Sequence, residues 1–217
     1  MEQKKEVLPY MGSVEKYKHK AVSNILKHCL RQTNNNSNKN IDPNRSHLNY
    51  NLIDRKIDPY AYYKQRLSKI PHANRKDLVT LASWVITAPK SLPRNDLPRF
   101  FQLVTEFCIQ TYGIDNLVIS VVHMDETHPH THIAWIPQSK KTGRVCCNDV
   151  LTRNHLRRFH PLLDQYLKDH GLNNAQIMTG ITREQGGNIP VKKLKLNRTK
   201  TVTHEHPVLY DQINILR

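Results

Sequence analysis

The stretch from Val118 to Ile136 constrains this chain more than any other: Val118-Ile-Ser-Val-Val-His123-Met-Asp125-Glu126-Thr-His128-Pro129-His130-Thr-His132-Ile-Ala-Trp135-Ile136. Two apolar, β-branched runs flank a polar turn, which is the pattern of a β-hairpin. Side chains two apart on a strand share a face, with Cα atoms about 6.6 Å apart, so His130 and His132 project together. Antiparallel pairing brings His123 opposite them, because cross-strand neighbours lie only about 4.5–5.5 Å apart. Three imidazoles on one patch of sheet are a metal-ligand set, and three histidines leave coordination positions open, as a catalytic site requires. The His-Glu-x-x-His helix of zinc proteases is absent. The chain holds 13 histidines, so the weight rests on the spacing of this trio beside Asp125 and Glu126.

The remaining elements alternate between strand and helix patterns. Val7 to Met11 suits a short edge strand. From Ser13, read as an N-cap, Val14, Tyr17, Ala21, Val22, Ile25 and Cys29 recur at three- and four-residue intervals and predict one amphipathic helix, with His28 near its end. An Asn-rich loop follows, then an alternating segment from Ser46 to Leu52 that predicts a strand. Asp58 to Ile70 reads as a helix with Pro59 in its first turn, and its tyrosines as packing residues. Leu78 to Thr87 reads as a strand. Leu97 to Tyr112 is the clearest amphipathic helix, ended by Gly113. Val145 to Val150 suits a short strand or connector. A second long helix is predicted from Asn148 or Asp149 to His170, kinked at Pro161 and stopped by Gly171. No internal repeat is visible.

At 217 residues the chain suits a single domain with a sizeable core. Lys and Arg outnumber Asp and Glu by 33 to 18, which favours a polyanionic partner, nucleic acid or an anionic membrane. No apolar run approaches the roughly 20 residues that span a bilayer, and the start lacks a secretory signal. A soluble, cytoplasmic protein is expected, with no membrane contact from this segment. Cys29, Cys108, Cys146 and Cys147 show no Cys-x-x-Cys spacing and read as reduced thiols, with Cys108 in the core.

The core His123-x-Asp-Glu126-x-x-Pro129-His130-x-His132 resembles the metal-binding motif of HUH endonucleases, and specifically of MobV-type plasmid mobilisation relaxases, the Mob/Pre family. Asn38-Lys-Asn-Ile-Asp-Pro-Asn-Arg-Ser-His-Leu-Asn-Tyr50 resembles that family's N-terminal motif. Arg75-Lys-Asp77 with Trp84-Val-Ile-Thr87 resembles its middle motif. Order and approximate spacing agree across residues 20 to 171. The resemblance implies an α+β fold, a central antiparallel sheet of about five strands with packed helices. It implies a relaxase domain over residues 1–200, with 201–217 a tail or the start of a missing C-terminal region. It also implies a reaction: nicking of one strand at an origin of transfer, a covalent 5′-phosphate adduct, and rejoining.

By that resemblance His123, His130 and His132 are the metal ligands. His28, in Lys27-His28-Cys29-Leu30-Arg31, is the nucleophile, with Tyr10, Tyr17 and Tyr50 as rivals because most other relaxases use tyrosine. Glu126 either accepts a hydrogen bond from His28 or orients a ligand histidine. Arg31 steadies the phosphate. Asp125 is a turn-former or a participant. Three imidazoles disfavour magnesium and suit manganese, zinc, nickel or cobalt, and the family points to manganese. Candidate DNA contacts are Lys27, Arg45, Tyr50, Arg75, Lys76, Lys192 and Lys193, the last two in a basic stretch that is either a solvated tail or a phosphate-binding arm. The expected partner is hairpin and single-stranded DNA of an origin of transfer, with conjugative coupling machinery as a further partner. Two alternatives stand: a rolling-circle replication initiator with a tyrosine nucleophile, and a noncatalytic, metal-stabilised DNA-binding repressor.

Overall fold

The hairpin forms as its sequence predicts. Leu117–His123 (β4) and His130–Trp135 (β5) pair antiparallel, with His123 opposite His130 and Val121 opposite His132. The computed structural model describes residues 12–33, 40–90 and 92–175. Val79–Thr87 (β3) pairs with the other side of β5, and Gly12–Lys18 (β1) and Tyr50–Asn51 (β2) form the edges. The five strands are antiparallel in the order β1-β3-β5-β4-β2. Every residue of β4 is buried, as expected of a central strand covered on both faces.

The helices are His19–Cys29 (α1), Pro59–Ser68 (α2), Leu97–Tyr112 (α3), Cys147–Val150 (α4) and Arg153–Asp169 (α5). On one face of the sheet Trp84, Val122, Ile133 and Trp135 pack with Phe100 and Phe107 of α3 and Phe159 and Leu163 of α5. On the other face Leu81, Ile119, Val121, Ala134 and Ile136 pack with Val22 and Leu26 of α1 and Tyr63 and Leu67 of α2. Fully burying each such side chain stabilises the fold by about 1.5–3 kcal/mol. By the two-residue period of a strand, His130 and His132 share the face of Ala134 and Ile136. The histidines therefore lie on the α1–α2 face.

Three predicted elements differ from those observed. Residues 12–18 form a strand, and the helix starts only at His19. Val14 and Tyr17 are three apart, which fits a helix, but they pack into opposite cores, as side chains of odd separation do on a strand. Pairing along β3, from Gly12 opposite Ile86 to Lys18 opposite Val79, outweighs the local pattern, a tertiary override of propensity. Pro43–Leu48 is a 3-10 helix, and only Tyr50–Asn51 is strand. Asp42 caps the 3-10 helix by accepting from the Asn44 N–H at 3.0 Å. The predicted C-terminal helix is two helices, because Thr152 caps α5 by accepting from His155 N–H at 3.1 Å. That helix then runs through Pro161 to Asp169. Val145 makes an isolated bridge with Gln138.

Other elements form as predicted. α2 begins with Asp58 accepting from Ala61 N–H at 2.9 Å, α3 ends at Gly113 with φ of 87°, and Gly171 follows α5 with φ of 81°. Tyr63 and Cys108 are fully buried. Val7 to Met11, Tyr10, Lys192, Lys193 and the 200/201 boundary lie outside the described residues. Among the described residues no helix is long and apolar enough to cross a membrane.

Candidate metal centre and nucleophile

Three ring nitrogens converge where β4 and β5 approach their connecting turn. His130 Nε2 lies 3.3 Å from His123 Nδ1 and 3.2 Å from His132 Nε2. Such separations suit ligands sharing one ion with bonds of about 2.1 Å. The partners of the other ring nitrogens decide which atoms face inward. His123 Nε2 donates to the Cys29 carbonyl at 2.7 Å, and His130 Nδ1 donates to the His128 carbonyl at 2.9 Å. A carbonyl only accepts, so each ring carries a proton on that nitrogen and turns its other nitrogen to the cluster. Burial, aided by the Arg31 charge and His130 against the Cys29 hydrogen bond, pushes the His123 pKa down to about 4, and burial with the neighbouring imidazoles holds His132 well below the usual histidine range. The three rings are buried together and their converging nitrogens form a donor set that fits a divalent metal.

α1 delivers the next groups. It ends at Cys29, and Arg31 adopts φ of 55°, a left-handed conformation uncommon outside glycine and asparagine. Arg31 is held in this turn by charge: Nε and Nη2 bond both oxygens of Asp125 at 3.0 and 2.7 Å, and Nη2 also bonds Glu126 Oε1 at 2.7 Å. Its Nη1 is buried with no hydrogen-bond partner. His28, one turn before it, sets its ring edge-on to His132 with centroids 6.3 Å apart. Burial, then the Arg31 charge, lowers the His28 pKa, against opposing pulls from Glu126 and Glu15.

Asp125 is a junction that the sequence left undecided. It is fully buried and accepts from Ser46 Oγ at 2.9 Å and Asn49 Nδ2 at 2.7 Å besides Arg31. Burial opposes its charge, but the bonds from Arg31, Asn49 and Ser46 outweigh that and hold its carboxyl well below the usual carboxylate range. Asn49 Oδ1 also accepts from Met124 N–H at 2.7 Å. The N-terminal motif, the end of α1 and the histidine turn are thus bound together through one carboxylate. Glu126 Oε1 lies 3.9 Å from both His123 Nδ1 and His130 Nε2, so it borders the converging imidazole nitrogens while bonded to Arg31.

A family model described as plasmid recombination enzyme, Mob/Pre, matches residues 10–188. The chain belongs to this family. The plasmid recombination enzyme of Lactiplantibacillus plantarum is 31% identical over 183 residues, covering 80% of this chain and 49% of that protein. That of Streptococcus agalactiae is 31% identical over 176 residues, covering 76% of this chain and 35% of that protein. The chain thus spans half or less of the length of these curated relatives. Among solved structures, the manganese-bound MobM relaxase domain with plasmid pMV158 oriT DNA matches with TM-score 0.75 at 28% identity, covering 87% of this chain and 99% of that chain. The sheet and flanking helices described above are those of a relaxase domain.

The other predicted residues scatter. Lys27 is exposed on α1 beside His28, and Arg45 is exposed on the 3-10 helix. Tyr50 pairs with Val122 and packs into the α3–α5 core, so it is on the sheet face away from the histidines, with its hydroxyl buried and unpartnered. Tyr17 shares the α1 face and donates to Glu15. Arg75 and Lys76 are exposed in the loop before β3, at the end of the sheet remote from the histidine cluster. Sequence reasoning missed Ser46 and Asn49, whose place in the N-terminal motif was their signal. It also missed the carbonyls of Cys29 and His128, which leave no mark on a sequence.

Proposed function

We propose that this domain is the nicking and joining unit of a plasmid mobilisation relaxase, acting on one DNA strand at an origin of transfer. The observation that carries the reading is the His28 ring set edge-on to His132, one of three histidines whose ring nitrogens converge on one point. His123, His130 and His132 would hold a divalent ion, and manganese is proposed because the similar MobM domain is manganese-bound. Such an ion, when bound, withdraws charge from a non-bridging phosphate oxygen and so favours in-line attack.

The chain's own residues supply the rest. A ring nitrogen of His28 attacks phosphorus and forms a P–N bond. The P–O3′ bond breaks, and the departing 3′-oxygen takes up the equivalent of the N–H proton that the phosphorylated His28 ring gives up, becoming a free 3′-hydroxyl. The 5′-phosphate stays on His28 as a phosphoramidate, and reversal of the step rejoins the strand. The unpartnered Arg31 Nη1 donates to the phosphate while Asp125 and Glu126 hold the guanidinium still. Glu126 limits the positive charge that Arg31 brings to the site. His28 is favoured over Tyr50 and Tyr17 because Tyr50 occupies the opposite face and Tyr17 has its hydroxyl engaged and its pKa raised by burial.

The test is to incubate supercoiled DNA carrying an origin of transfer with the protein and manganese. The expected product is a nick with protein on the 5′ end through an acid-labile, base-stable bond, lost in His28→Ala. Unchanged nicking by that variant, or an acid-stable adduct, refutes the assignment; binding without any cleavage would leave a repressor-like module.

A further inference from the structure

Where β5 ends, a cleft of about 360 Å³ opens that the chemistry above does not use. Trp135, which lines it, is three residues beyond His132 on β5, so by the period of a strand the two side chains take opposite faces. Tyr112, Trp135, Ile136 and Val150 give the cleft an apolar wall, with Tyr112 stacked on Trp135 at 4.1 Å. An apolar wall with a few polar groups set into it is the make-up of a small-molecule site. Three of those polar groups are donors in want of an acceptor. Trp135 is fully buried, and its Nε1–H has no hydrogen-bond partner among the described residues, an arrangement that costs stability until a ligand accepts from it. His155 is a donor by its tautomer. An indole nitrogen only donates, so Trp84 Nε1–H gives to the Tyr112 hydroxyl at 2.8 Å, and the hydroxyl's own proton goes to His155 Nε2 at 2.9 Å. The ring proton of His155 is then on Nδ1, free for a ligand. Ser139 is buried, and its Oγ is fixed by accepting from the Lys141 and Thr142 N–H groups at 3.3 and 3.4 Å, which leaves its O–H to give.

Charge and donor number select the ligand. Lys140 and Lys141 are exposed where they line the cleft, and Asp149 is the carboxylate that opposes them. Two ammonium groups and three uncharged donors exceed what the two oxygens of a carboxylate use. They match a phosphate monoester, which carries nearly two negative charges and three strong acceptor oxygens. A phosphodiester within a nucleic-acid strand offers one charge and two free oxygens, and its chain must leave the cleft in two directions. The structure assigns this cleft to a small, freely diffusing phosphate monoester with an apolar or aromatic body, its phosphate on Trp135, His155, Ser139 and the two lysines and its body against Tyr112, Ile136 and Val150. This site lies apart from the histidine cluster and does not rest on the nicking reaction.

The chain has two tryptophans, Trp84 and Trp135, so the test follows two indole N–H signals by NMR, each assigned from its own side chain. The full chain is titrated with phenyl phosphate above the ester's second pKa of about 6. The Trp135 signal should move downfield and saturate as the indole gains an acceptor, while that of Trp84, already bonded to Tyr112, moves far less. Lys140→Gln/Lys141→Gln should weaken binding at least about tenfold, as expected for losing a charged hydrogen bond. Arg157→Gln/Arg158→Gln, an equal charge change at exposed positions of α5, should leave it unchanged. Benzoate and the diester methyl phenyl phosphate should each bind at least about tenfold more weakly than phenyl phosphate, for want of the third oxygen and second charge. No saturable movement, equal movement of both indoles, indifference to the lysines, or equal binding of benzoate or the diester overturns the inference. A single-stranded oligonucleotide should not displace phenyl phosphate; displacement would make the cleft part of a nucleic-acid path and overturn it as well. Because no strand is cut, the result is the same whether or not the protein nicks DNA.

Discussion

Asp125→Asn tests the junction that holds the site together. The carboxylate accepts four hydrogen bonds: Arg31 Nη2 on Oδ1, and Arg31 Nε, Ser46 Oγ and Asn49 Nδ2 on Oδ2. An amide of the same shape cannot accept at both ends. Its best orientation keeps oxygen where three donors converge and turns the NH2 toward Arg31 Nη2, a donor facing a donor. Removing one partner of a buried ion pair costs about 3–5 kcal/mol. Arg31 retains Glu126 at 2.7 Å, so the lower end, about 3 kcal/mol, is expected. At 2–4 °C per kcal/mol for a domain of this size, Tm should fall by roughly 6–12 °C. Acid unfolding supplies an independent readout. The Asp125 pKa is depressed in the folded state, so its contribution is complete above the unfolded value of about 3.9 and is lost as pH falls through the lower folded value. Stability measured by urea unfolding should therefore drop less steeply with acid in the variant than in the wild type. A variant within about 0.5 kcal/mol of wild type, or one with the same acid slope, would refute the junction.

Three further outcomes follow from the same structure. Manganese should raise Tm by mass action, about 2.7 kcal/mol of stabilisation at a hundredfold excess over Kd, and His132→Ala should abolish that rise in a thermal-shift assay. In metal-free protein His123 titrates near pH 4 when folded and near 6.5 when unfolded. The unfolded chain therefore takes up protons first, and stability should fall as pH drops from about 6.5 to 4, a fall that His123→Asn flattens in urea titrations. Thr152→Ala removes the cap of α5 and should cost about 1 kcal/mol in urea unfolding, while leaving manganese binding unchanged.

The histidine hairpin was legible in the sequence because a strand's period of two is local: His130-x-His132 can only share a face, and the β-branched runs around them can only pair. α3 was legible for the same reason, its apolar stripe being written at helical spacing and closed by Gly113. What the tertiary structure decided is everything that depends on partners distant in the chain. Residues 12–18 carry a spacing compatible with a helix, and the open edge of β3 made them a strand. Tyr50 lies in a matching motif, and its register with Val122 placed it behind the sheet. Asp125 read equally as a turn-former or a participant, and the structure brings Arg31, Ser46 and Asn49, 76 to 94 positions away, onto its carboxylate. Local periodicity determines which face a side chain takes, but only long-range packing determines what it meets there, because hydrogen bonds and burial are satisfied in space rather than along the chain.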